Sequence, residues 1–144
     1  MQTLPTEIID KIFSYTDLET CIRNKKWYAL KERINSGEVT IDYAARHGYL
    51  ELVKYLHGVG VNCAPCAIDH AARNGHLEIV KYLYEVVGAK CDTYTVRCAV
   101  IDGYFEIVRY LHEIVGIECT EYLMKIAIAY NRPDIVQYLE SIKK

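Results

Sequence analysis

The chain has 144 residues, 51% of them hydrophobic and 25% charged, with a net charge of −2. That is enough chain and apolar surface for one cored domain, and it excludes a disordered polypeptide. The interleaved charge leaves no basic face for nucleic acid and no footing on a membrane, and no stretch approaches the ~20 apolar residues of a bilayer span.

The first element is LPTEIIDKIFSY, residues 4–15. It lacks the basic start and long apolar run of a signal peptide, so a cytoplasmic chain with six reduced cysteines is expected. Pro5 and Glu7 suit the first turn of a helix, and Ile8, Ile9, Ile12 and Phe13 make one apolar face at i, i+1, i+4 and i+5. Leu4-Pro5-x-Glu7, the isoleucines, then Asp17-Leu18 and Trp27 resemble the start of an F-box, although Tyr15 to Asp17 is a shorter interval than that pattern has. The resemblance implies a surface of Leu4, Pro5, Ile8, Ile9, Ile12, Phe13 and Trp27 that grips a Skp-type linker subunit. Cys21-Ile22-Arg23-Asn24-Lys25-Lys26-Trp27 can equally be laid on Ala71-Ala72-Arg73-Asn74-Gly75-His76-Leu77. Residues 1–38 would then be a helical cap beginning as a degenerate repeat, since a stack needs its first apolar face covered.

From residue 39 the chain repeats itself. YLELVKYLH (49–57) returns as HLEIVKYLY (76–84), YFEIVRYLH (104–112) and RPDIVQYLE (132–140). Gly48, Gly75, Gly103 and Asn131 form one column, at intervals of 27, 28 and 28 residues, and Tyr55, Tyr82, Tyr110 and Tyr138 form another. Four units follow, at about 39–65, 66–93, 94–121 and 122–144. Each predicts two helices. The first ends at the glycine, suited to a left-handed cap, with Asn131 the next best residue for it. The second opens with an acid near its positive end, Glu51, Glu78, Glu106 or Asp134, and Pro133 fits a first turn. Its apolar stripe is Leu52/Val53/Leu56, Ile79/Val80/Leu83, Ile107/Val108/Leu111 and Ile135/Val136/Leu139. One such pair cannot bury its own faces; stacked pairs can, so the fold expected is an all-α solenoid with short connecting turns.

Cys63 and Cys66, in NCAPC, have the spacing of a dithiol redox centre or half a zinc site. The repeat explains Cys63 otherwise: Cys91 and Cys119 occupy the same column, while Tyr94 and Tyr122 stand opposite Cys66. No βαβ pattern precedes the pair and no second close pair completes a metal site. Cysteines of adjacent copies, ~8–10 Å apart with their helices, are too distant for a disulfide. Packing residues are expected, with neither metal nor cofactor; a thiol–disulfide oxidoreductase on Cys63 and Cys66 is the least favoured alternative.

Ala71-Ala72-Arg73-Asn74-Gly75-His76-Leu77-Glu78-Ile79-Val80-Lys81-Tyr82-Leu83, with Gly88-Ala89 after it, resembles an ankyrin repeat, and the resemblance runs over about 39–140. These units are shorter than the ~33 residues usual there. The loss falls between the Gly-Ala turn and the next helix, and the Thr-Pro-Leu-His start is missing, so apolar packing should replace the Thr/His hydrogen bonds typical of ankyrin repeats. Such short, Cys-bearing, Tyr-rich units resemble those common in large DNA viruses of amoebae, which would place the protein in host cytoplasm.

The five histidines are scattered, and neither a phosphate loop nor a nucleophile elbow appears, so the chain is expected to be non-enzymatic. The resemblance implies a monomeric module that binds a protein partner through the concave face of its first helices. In that register the face carries Tyr43, Arg46 and His47; His70, Arg73 and Asn74; Cys98, Ile101 and Asp102; then Ile126, Ala129 and Tyr130. It passes from basic and aromatic to apolar, and the first half suits an acidic segment, with Arg73 the foremost contact.

Overall fold

The computed structural model describes residues 18–143, which are helical with no strand among them. The chain divides between Thr40 and Ile41 into two compact units. The first holds α1 (Leu18–Arg23), a 3-10 turn (Trp27–Leu30) and α2 (Lys31–Asn35).

The second unit is four helical hairpins. Inner helices are α3 (Ile41–His47), α5 (Ala67–Arg73), α7 (Thr93–Asp102) and α9 (Glu121–Ala129). Outer helices are α4 (Leu50–Gly58), α6 (Leu77–Tyr82), α8 (Phe105–Glu113) and α10 (Pro133–Ile142). Each inner helix packs on the next, and more closely than the outer helices do. Ala44, Ala45, Ala71, Ala72, Ala99 and Ala127 are fully buried and let the inner backbones approach. Every residue of the outer stripe is buried except Val136, which is half-buried. Each such aliphatic side chain stabilises the stack by about 1.5–3 kcal/mol relative to exposure.

The inner helices end in one repeated device. At Gly75 (φ +79°) the His76 amide reaches back to the Ala71 carbonyl at 2.9 Å and the Gly75 amide to that of Ala72, a Schellman cap. Gly103 and Asn131 (φ +53°) repeat it, and Gly48 keeps its longer bond, from the Tyr49 amide to the Ala44 carbonyl at 2.9 Å. The next residue, Tyr49, His76 or Tyr104, then centres an inverse γ-turn closed by a bond from the following amide to the glycine carbonyl. Arg132 has the same dihedrals without the bond, because Pro133 has no amide to donate.

The device recurs within the first unit. Lys25 is left-handed at φ +53°, Lys26 N–H bonds Cys21 C=O at 2.9 Å, and Gly37 matches Gly60 in φ and in the bonds around it. Residues 20–38 thus share both turns of a repeat, 23 residues ahead of the next one in register, with a 3-10 turn and a short helix where a repeat has one outer helix.

The extra residue in the later units is absorbed inside the outer helices. Leu83 to Gly88 is one step longer than Leu56 to Gly60, and Leu83–Val87 widens into a π-helical turn. In the third unit the Val115 amide likewise reaches five residues back, to Tyr110.

Polar links between units correct the expectation of purely apolar packing there. The Thr95 hydroxyl donates to Asp69 Oδ1 of the preceding unit at 2.6 Å while accepting from the Asp92 amide in a capping box. His70 Nδ1 lies 2.6 Å from Asp42 Oδ1, linking the first two units.

Candidate protein-binding face

The inner helices carry the candidate residues side by side. On α3 the Tyr43 and His47 rings lie 4.4 Å apart, and His47 stacks on Tyr49 at 5.9 Å, giving a solvent-facing aromatic cluster. Exposed Arg46 reaches across to α5, its Nη2 3.2 Å from His70 Nε2. With Asp42 on the other ring nitrogen, His70 is held from both sides by the preceding unit. Arg73 stays exposed and faces Asp102 of α7 at 3.9 Å, an ion pair too long for a hydrogen bond. Asn74 donates to the His70 carbonyl at 2.8 Å, capping its own helix. Ile101 is half-buried, and Ala129 and Tyr130 are exposed on α9, with Ile126 half-buried.

Cys98 leaves this set: it is 4% exposed, packed between helices, and has no surface to offer a partner. Leu4, Pro5, Ile8, Ile9, Ile12 and Phe13 of the F-box-like surface lie outside the described residues. Trp27 opens the 3-10 turn that follows Lys25 and Lys26.

The cysteine column has the character of packing. Burial raises the thiols of Cys63 and Cys119 and pushes Cys91 up to about 11. Cys66 is raised as well, by desolvation and then by the Asp42 carboxylate, to which its thiol donates at 3.5 Å. A dithiol redox centre needs a depressed thiol, so the direction opposes that alternative. All six cysteines are free.

Two sets of residues were not legible as functional columns. In the first, the side chain that follows the cap in the second, third and fourth repeats folds back over the repeat before: the His76 ring covers Gly48, Tyr104 covers Gly75, and the Arg132 guanidinium covers Gly103. His76 Nε2 meets the Arg46 carbonyl at 3.1 Å, and Arg132 donates twice to the Ile101 carbonyl at 2.8 and 3.1 Å. The signal was a planar side chain after every cap, hidden by its changing chemistry. The second set lies on the outer helices, where three of the four column tyrosines bond the repeat before them. Tyr82 meets His57 at 3.0 Å, Tyr110 donates to Glu85 at 2.7 Å, and Tyr138 meets His112 at 2.7 Å.

No described helix is long and apolar enough to cross a membrane. No curated protein matches the chain. The family model described as ankyrin repeats, in three copies, matches residues 41–122 and again 70–143. Stacked hairpins with shared caps, and a family match across the whole second unit, lead to one assignment: the chain belongs to the ankyrin-repeat family.

Proposed function

We propose that this chain is a non-enzymatic protein-interaction module that grips its partner with the inner-helix face of its first three repeats. Ankyrin repeats imply protein partners, and the observation that carries the finer reading is the arrangement on α3, α5 and α7. Arg46, Arg73 and the Tyr43–His47–Tyr49 cluster stand exposed or half-exposed on adjacent helices, the arginines pre-ordered by contacts to the next repeat and the rings by contacts with one another. Rigid aromatic and arginine side chains bind at low entropic cost. An acidic or aromatic partner segment fits this half; towards α9 the face turns apolar, with Ile126 half-buried and Tyr130 51% exposed.

Crosslinking capture from host lysate tests it. A partner held by the wild type should be lost on Arg73→Glu or Arg46→Glu and kept on Lys81→Glu, on an outer helix. The opposite pattern would sink the reading. The adaptor alternative predicts capture of purified Skp-type linker at micromolar concentration; the repeat-like backbone of residues 20–38 favours a leading repeat over that role.

A further inference from the structure

Within its own stretch of sequence, NCAPC lacks metal partners. The fold supplies them from another repeat. Cys66 caps α5, His70 lies one turn along the same helix, and Asp42 sits in the first turn of α3. Their ligand atoms all lie within 4.8 Å of one another. We propose that Cys66 Sγ, His70 Nδ1 and Asp42 Oδ1 form a binding site for a zinc-class divalent ion that staples the first repeat to the second. This goes beyond the protein-binding reading and does not depend on it.

The distances fit. With metal–sulfur, –nitrogen and –oxygen bonds of about 2.3, 2.0 and 2.1 Å, tetrahedral ligand atoms stand roughly 3.4–3.6 Å apart. Cys66 Sγ is already 3.5 Å from Asp42 Oδ1. His70 Nδ1 and Asp42 Oδ1, at 2.6 Å, are at hydrogen-bond distance, and replacing the shared proton by an ion opens that gap by about 0.8 Å. Thiolate, imidazole and carboxylate together suit zinc rather than calcium or magnesium, which take oxygen ligands. Cys66 is exposed, and the Asp42 and His70 side chains are each 25% exposed, so an ion can enter and water can fill the fourth position.

Proton balance follows. Cys66 releases its thiol proton to solvent, and His70 keeps one proton but carries it on Nε2. That nitrogen now faces Arg46 Nη2 at 3.2 Å. Two donors repel and the guanidinium opposes the incoming cation, so Arg46 must swing outward; its exposure allows this.

The set is confined to one junction. The same three columns hold Asp69, Tyr94 and Cys98 at the next junction, and Arg97, Tyr122 and Ile126 at the last. At the second, Asp69 is taken up by Thr95. At the third an arginine stands over the Tyr94 ring at 4.7 Å, a place closed to a cation. The columns build the interface everywhere but ligands only once.

Chelator-treated full-length protein titrated with Co²⁺, an optical stand-in for Zn²⁺, tests the proposal. One equivalent should bind at micromolar concentration with a thiolate charge-transfer band that Zn²⁺ abolishes, and Zn²⁺ should raise the melting midpoint. Cys66→Ser, His70→Ala and Asp42→Asn should each weaken binding at least tenfold, with helicity unchanged by circular dichroism. Cys63→Ser should leave affinity intact, and Arg46→Ala should tighten it several-fold. Absence of the band would overturn the proposal. So would loss of binding in Cys63→Ser with Asp42→Asn unaffected, because the ion would then belong to the dithiol loop.

Discussion

Gly75 combines two constraints that ordinarily occur apart. Its φ of +79° disfavours any side chain, and a Cβ there would clash with the Tyr104 ring. Gly75→Ala should cost about 2–4 kcal/mol, strain plus overpacking. Gly116 shares the dihedral (φ +81°) but faces open space, so Gly116→Ala should cost only about 1–2 kcal/mol. Urea melts of the two variants separate the contributions; equal midpoints would show that the ring contact is immaterial. Tyr138 offers a pH test. Burial, then the Glu113 carboxylate, pushes its phenol up to about 12 from an ordinary value near 10. The unfolded chain therefore loses this proton first as pH rises. Tyr138's contribution is fully present below pH ~10 and should fade as pH climbs to about 12. Tyr138→Phe should flatten the alkaline fall in urea midpoint over that window; an unchanged slope would remove Tyr138 from the account.

At the scale of the element, the start of α7 is doubly tied: Asp92 and Thr95 cap each other and Thr95 also reaches Asp69. Thr95→Ala deletes both links and should cost about 1–2 kcal/mol in a urea melt. Leu83 is fully buried where α6 widens into its π turn, and Leu83→Ala should cost about 2–5 kcal/mol as a cavity. The hairpins, their caps and their buried stripes were legible because periodicity and glycine placement are local signals. The three outer-helix pairs Glu51–Lys54, Glu78–Lys81 and Glu106–Arg109 were too, and they close at 2.6–3.1 Å. What was not legible depends on the folded backbone or joins different repeats. A π turn looks like one surplus residue, and a histidine held by Asp42 looks like any scattered histidine until the units are stacked. Cys98 misled for the same reason: its column is half-buried at Tyr43, His70 and Ile126 but covered at Cys98.

For the four-hairpin unit, stability should be distributed rather than uniform. Inner helices α5 and α7 have inner neighbours on both sides, and α9 packs on α7. Hydrogen exchange should show greatest protection in α5 and α7, with earlier opening in α9 and α10, as nearest-neighbour coupling requires. Equal protection from α3 to α10 would mean that the unit opens as one block. The fold-back contacts bear on how such a unit changes over time. His76 and Arg132 differ as side chains, yet each finds the main-chain oxygen two positions before a cap, Arg46 in one case and Ile101 in the other. That acceptor does not depend on which amino acid supplies it. A copy inserted, deleted or moved along the array therefore meets a usable docking point without a matching substitution in its new neighbour, and the array can change length while its surface diversifies.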